Sequence, residues 1–159
     1  MNEHINIREA EEKDTDIILG FIKELAVYEK LLHEVTADET LLKNTLFEKE
    51  YAKVLIAEYN EEPAGMALYF HSYSTFLGKP GIYLEDLYVS EKHRGKGIGK
   101  KLLKRLAAIC NENDFGRLEW SVLDWNKPSI DFYESLGAKS QNEWIKYRVD
   151  GETLKKMSE

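Results

Sequence analysis

The stretch Tyr83-Leu84-Glu85-Asp86-Leu87-Tyr88-Val89, followed at once by Arg94-Gly95-Lys96-Gly97-Ile98-Gly99-Lys100 and a long amphipathic run, decides the fold. It reads as strand, anion-binding turn, helix. Glycines at a helix N-terminus let backbone N–H groups approach a phosphate with no side chain in the way. Two carboxylates on the preceding strand place chemistry beside that turn.

Ile5-Asn6-Ile7 alternates as a short first strand, and Asp14 to Glu29 carries Ile17, Ile18, Phe21, Ile22, Leu25 and Tyr28 at helical spacing. Thr36-Ala37-Asp38-Glu39 matches a capping box and predicts a second helix through Leu41, Leu42, Leu46 and Phe47. Lys53 to Tyr59 and Ala64 to Tyr73 form a hairpin around Asn60-Glu61-Glu62-Pro63, and Gly78-Lys79-Pro80-Gly81 is a turn into the deciding strand. A helix from Gly97 to Asn111 follows, then extended chain from Leu118 to Leu123. A short helix starts at Asn126-Lys127-Pro128-Ser129 and stops at Gly137. Trp144 to Val149 is predicted as a last strand and Thr153 onward as a terminal helix. The order β-α-α-β-β-β-α-β-α-β predicts one α/β domain over 1–159 with a mixed sheet, hairpins first and helical crossovers after.

The chain has 159 residues, a formal net charge of -7 and a single cysteine. An acidic surface argues against a nucleic-acid binder and suits a cationic substrate. Lys92, Arg94, Lys96, Lys100, Lys101, Lys104 and Arg105 nevertheless gather around the glycine turn, where Arg94, Lys96 and Lys100 border the phosphate position. Cys110 shares an apolar helical stripe with Ile98, Leu102, Leu106 and Ile109, which predicts a core residue rather than a nucleophile. His4, His33, His71 and His93 lack metal-ligand spacing, so no metal is expected. No apolar run has membrane-spanning length and the first residues lack a signal-peptide pattern, giving the expectation of a cytoplasmic protein without membrane contact.

Three anion-binding motifs compete for the turn. A P-loop needs G-x-x-x-x-G-K-[ST]; here the spacing is one residue short and Lys101 replaces the hydroxyl. A dinucleotide fingerprint needs G-x-G-x-x-G, whereas the chain has G-x-G-x-G far from its start. The third is R-x-x-G-x-G, met as Arg94 to Gly99 after a strand, before a helix, and upstream of Asn126-x-x-Ser129-x-x-x-Tyr133. With these residues the chain resembles the GNAT N-acetyltransferase superfamily, and within it the spermidine/spermine (diamine) and thialysine N-acetyltransferase group. The resemblance extends through Ile7 to Ala10, Lys23 to Lys30, Asp124 to Tyr133 and Leu136-Gly137-Ala138.

The resemblance implies a mostly antiparallel mixed sheet with splayed central parallel strands, flanked by helices. It implies acetyl-CoA as co-substrate, with the pyrophosphate on Gly95, Lys96, Gly97, Ile98, Gly99 and Lys100 beside Arg94, and the pantetheine arm along Leu87, Tyr88 and Val89. Asn126, Ser129 and Tyr133 hold the other side of the cofactor, although Asn126 and Ser129 equally suit helix capping. Tyr133 is the general acid for the departing thiolate, and Glu85 the base for the ammonium substrate, acting through water. Strict alternation turns Asp86 to the opposite face, leaving Glu85 alone at the reacting centre. An N–H near Leu87 or Tyr88 stabilises the oxyanion.

For the acceptor, the resemblance implies Tyr28 and Glu29 together with Glu85, and Glu119, Trp120 and Ser121 join them because they lie on the strand opposite Glu85. Ser74-Thr75-Phe76 stands where polyamine acetylators show Asp-Pro-Trp, and Val122-Leu123-Asp124-Trp125-Asn126 is similar to thialysine-acetylating relatives. A diamine or polyamine and a lysine-like amino acid therefore both stand as acceptors. Acetylation of a protein or antibiotic amine, and acyl-CoA binding without turnover, are the other readings. The resemblance also implies a homodimer with Trp144 to Val149 at the shared surface.

Overall fold

The computed structural model describes residues 3–159, which divide into two compact units, one ending at Ser121 and the other running from Val122 to Glu159. The first unit holds a sheet in the order β1-β2-β3-β4-β5. Its strands are β1 Ile5–Glu9, β2 Lys53–Tyr59, β3 Glu62–Ser74, β4 Lys79–Val89 and β5 Leu118–Trp120. The first three pairings are antiparallel and β4 with β5 is parallel, the mixed sheet expected.

Helix α1 spans Thr15–Tyr28. Asp14 sits at its start, but the carboxylate does not cap it. It takes two hydrogen bonds from the Arg8 guanidinium, at 2.7 and 2.9 Å, and one from the Glu11 N–H. Arg8 holds the Asp14 carboxyl below the usual carboxylate range, and this half-buried pair pins α1 to β1. Helix α2 is shorter than expected, Glu39–Leu42, and opens into a π-helical stretch, Lys43–Glu48. Its cap is Asp38, whose Oδ1 accepts the Leu41 N–H at 2.8 Å, in place of the Thr36 capping box. The Thr45 hydroxyl donates to the Leu41 carbonyl at 2.9 Å, competing with the regular ladder where the helix widens.

One face of the sheet buries Val54, Ile56, Met66, Leu68 and Tyr88 against Ile18 and Phe21 of α1 and Leu42 and Leu46. Helix α3, Ile98–Glu112, packs on all five strands through Ile98, Leu102, Leu103, Leu106 and Cys110. Cys110 is thus the core residue its spacing predicts, and burial pushes its thiol up. β4 begins earlier than the expected turn allows, at Lys79. Gly81 is required there, because a Cβ would come within 2.7 Å of the Arg117 carbonyl oxygen. Among the described residues no helix is long and apolar enough to cross a membrane.

The second unit contains α4, Lys127–Ser135, and α5, Gly151–Met157. Gly137, at φ +92°, ends α4 with N–H bonds from Gly137 to Glu134 and from Ala138 to Tyr133. The expected strand at Trp144 to Val149 is not formed. The segment is irregular, and Trp144, Ile145 and Tyr147 are each more than three-quarters exposed. Its alternation suits a strand, but a strand also needs an edge to pair with. Extended structure after Leu118 likewise stops at Trp120 instead of Leu123.

Candidate active site

The site begins where β4 loses a neighbour. β5 pairs with β4 at Ile82, Tyr83 and Leu84, after which β4 runs on to Val89 without a β5 partner. Backbone groups from Glu85 to Val89 on that edge are left outside the ladder, as the resemblance implied for an amide-containing ligand arm.

The same point carries a β-bulge. Leu68 of β3 pairs with Asp86 and Tyr69 pairs with Leu84, so Glu85 is the extra residue. The bulge corrects the expectation that Glu85 and Asp86 face apart. Leu84 pairs with Tyr69 on the α3 side, whereas Asp86 pairs with Leu68 on the α1 side. Glu85, following Leu84, leans to the α1 side as well, so both carboxylates share one face. Glu85 is exposed and Asp86 half-buried. Burial, with the charges of Glu85 and Glu29 added, pushes the Asp86 carboxyl up to about 6. Glu29, at the end of α1, is itself raised by burial. Asp86 is the residue that sequence reasoning passed over, and a period-2 reading gives no sign of a bulge.

Downstream, Gly95 and Gly97 adopt φ values of +78° and +79°, the left-handed region that favours glycine. Gly97 stands at the N-cap of α3 with no side-chain cap. A Cβ at Gly95 or Gly97 would project into open space, so the turn has room in front of it, and the first-turn N–H groups of Ile98, Gly99 and Lys100 are those a phosphate would take. Gly99 lies where a Cβ would touch Val89 at an ordinary 3.8 Å. Lys100 is exposed, and the Lys96 ammonium lies 4.7 Å from the Tyr59 ring centroid.

Arg94 donates from Nε to the Val89 carbonyl oxygen at 3.1 Å. Its guanidinium carbon lies 5.2 Å from the Tyr28 ring centroid and 5.8 Å from that of Tyr88. Burial raises the Tyr88 phenol, while the Arg94 charge and hydrogen bond oppose that rise. On β5, Glu119 is ion-paired with Arg117, Oε1 to Nε at 2.8 Å, and just past the strand the Ser121 hydroxyl lies 2.6 Å from that of Tyr83. Trp120 is the last residue of that strand.

The first unit therefore brings together Tyr28 with Arg94, Tyr88 and Val89, and Glu29 with Asp86 and Glu85. The second unit carries Asn126, Ser129 and Tyr133. Asn126 is buried and caps α4, its Oδ1 accepting the Ser129 N–H at 3.4 Å. Tyr133 is half-buried in α4 beside Phe132, with ring centroids 5.7 Å apart.

The chain matches the model of the Acetyltransferase (GNAT) family over residues 17–138. It is 39% identical to the thialysine N-epsilon-acetyltransferase of Bos taurus, with 97% of each chain covered. It is 31% identical to the L-ornithine N5-acetyltransferase of Arabidopsis thaliana, over 93% of this chain and 85% of that protein. A solved integron cassette protein from Vibrio cholerae superposes with a TM-score of 0.81 at 30% identity, over 97% of each chain. With this match, the glycine turn and the sheet, the chain belongs to the GNAT family of acetyltransferases and is an N-acetyltransferase.

Proposed function

We propose that the protein transfers the acetyl group of acetyl-CoA directly to the primary amine of a small cationic acceptor, without an acyl-enzyme. A side-chain amine of an amino acid, of the thialysine or ornithine kind, ranks ahead of a diamine or polyamine. The β4 bulge carries this reading, because it sets Glu85 and Asp86 on one face with Glu29 where β4 loses its β5 partner. Such a face attracts an ammonium group. The names of the two relatives support an amino-acid acceptor.

In this reading the diphosphate of acetyl-CoA lies on the backbone from Gly95 to Lys100. The amine arrives protonated, with a pKa of roughly 10, and must lose a proton before attack. Glu85 takes that proton through water. The nitrogen then bonds to the acetyl carbon, and an N–H on the open β4 edge near Leu87 or Tyr88 stabilises the oxyanion, an effect worth roughly 3 kcal/mol elsewhere. As the carbon–sulfur bond breaks, the Tyr133 hydroxyl protonates the thiolate, and the excess proton still on the attacking nitrogen returns to the Tyr133 phenolate, leaving CoA and the neutral N-acetylated amine. Asn126 and Ser129 line the cofactor's other side. Tyr28, Glu29, Glu119, Trp120 and Ser121 contact the acceptor.

The test is CoA release with thialysine, ornithine, putrescine, spermidine, a lysine-containing peptide and an aminoglycoside. Highest turnover is expected with thialysine or ornithine; activity confined to the peptide or the aminoglycoside refutes the acceptor assignment. We also propose a homodimer. Ile145, Tyr147 and Val149 alternate with Lys146 and Arg148 in an exposed segment that a second copy would cover. Sedimentation velocity should give twice the chain mass, and a monomer at micromolar concentration would discard it.

A further inference from the structure

Arg94 opens the glycine-turn motif, yet its polar and aromatic neighbours lie on two other elements. Nε is bonded to the Val89 carbonyl oxygen at the end of β4, and the guanidinium carbon lies 5.2 Å from the ring of Tyr28 at the end of α1. A third contact is with Tyr88, whose ring centroid lies 5.8 Å from the guanidinium carbon. A planar cation bonded at its edge and set near aromatic rings is fixed in direction as well as position, which a lysine in its place would not achieve. Tyr28 is 38% exposed, so with one side on Arg94 it still has surface to offer a ligand.

We propose that Arg94 is a positioning residue for the acceptor: it fixes the Tyr28 ring to the open edge of β4, so that cofactor and amine binding are coupled through one side chain. The inference rests on the reading above in which Tyr28 touches the acceptor. The physical basis is shared ordering. A cofactor arm along Leu87 to Val89 holds the strand end, and with it the Val89 carbonyl to which Arg94 is bonded. An amine packing on Tyr28 orders the same guanidinium from the other side. Each ligand steadies this bonded guanidinium from its own side, so the first to bind removes residual motion that the second would otherwise have to remove, and the second binds more tightly.

The experiment uses the full chain with Arg94→Gln, Arg94→Lys, Tyr28→Leu and the double variant Arg94→Gln/Tyr28→Leu. Thialysine turnover is followed at saturating acetyl-CoA, and CoA binding is measured calorimetrically with and without thialysine. Arg94→Gln is expected to raise the thialysine KM about five- to tenfold while kcat stays within about twofold. Tyr28→Leu should raise the same KM, and the double variant should raise it no further than the larger single effect. Thialysine should tighten CoA binding several-fold in the wild type and not in Arg94→Gln, with Arg94→Lys between them. Weaker CoA binding in Arg94→Gln with an unchanged thialysine KM would overturn the inference, making Arg94 a phosphate ligand and nothing more, while Tyr28 kept its acceptor role. Independent, multiplying effects of the two substitutions would also overturn it. An unchanged thialysine KM in Tyr28→Leu would remove the acceptor reading of Tyr28 itself, and the inference with it.

Discussion

Replacing Asp86 by Asn removes a charge that the fold disfavours, and the size of the effect follows from the position of the carboxyl. Its pKa moves from 3.8 to about 6 on folding, through burial first and the charges of Glu85 and Glu29 second. A shift of that size amounts to about 3 kcal/mol. The folded state holds this proton more tightly than the unfolded state, so the stability is fully present below the unfolded value and is lost as pH rises through the folded one. About half of the loss has occurred by pH 5 and nearly all of it by pH 8. D86N does not titrate there. Its advantage over the wild type should therefore grow with pH toward about 3 kcal/mol, or roughly 6–12 °C in Tm for a chain of this size. Thermal and urea unfolding of both proteins from pH 5 to pH 8 should show the difference widen by about 1.5 kcal/mol, the half of the loss that falls in that window. The same variant should lose efficiency toward thialysine, since the face that draws the ammonium loses a charge. Parallel stability curves for wild type and D86N would refute the assignment of Asp86 as a strained, folding-coupled acid.

Tyr133→Phe should leave calorimetric affinity for acetyl-CoA within about twofold and lower kcat by at least about 100-fold, the usual size of a general-acid contribution; unchanged turnover would strip the phenol of that role. Gly97→Val forces a β-branched residue to φ +79° and fills the open space before the turn. It should destabilise the protein by about 1–2 kcal/mol and raise the KM for acetyl-CoA, with little change in that for the amine. Cys110→Ala should cost roughly 1 kcal/mol in urea unfolding and leave turnover intact, because the thiol is a core group with its pKa pushed up by burial. Loss of turnover in folded Cys110→Ala would reopen a covalent route.

Periodicity and glycine placement were legible along the chain. β2 matches its expected bounds, and α3 and α4 start and stop within two residues of theirs. What escaped was long-range in origin. The β4 bulge is a register event between two strands, and nothing in Glu85-Asp86 taken alone distinguishes a regular pleat from an extra residue. The widening of α2 is the local exception, a Thr45 hydroxyl donating to the Leu41 carbonyl four residues back, which the spacing of apolar residues does not mark. The Trp144 to Val149 segment has the alternation of a strand, but the ladder that would make it one is a property of a neighbour, not of the segment. Arg94 opens a phosphate motif in the sequence, and its contact with Tyr28 is not legible there because α1 lies far from the glycine turn along the chain.

The bulge that escaped is also where stability and binding trade against each other, and this has a measurable signature in protons. Without an acceptor, Asp86 at pH 6 is about half protonated, since its carboxyl titrates near that value. An ammonium group entering the face shared with Glu85 and Glu29 supplies the positive charge the site lacks and favours the ionised carboxylate. Binding thialysine near pH 6 should therefore release up to about half a proton, and this release should vanish by pH 8, where Asp86 is already ionised. Calorimetry without acetyl-CoA, in buffers of differing ionisation enthalpy, separates that proton from the intrinsic heat of binding. D86N should show a smaller release at pH 6 and the same behaviour as wild type at pH 8. Heats independent of buffer at pH 6 in the wild type would mean that the acceptor does not approach Asp86, and the bulge would then be a feature of the sheet alone.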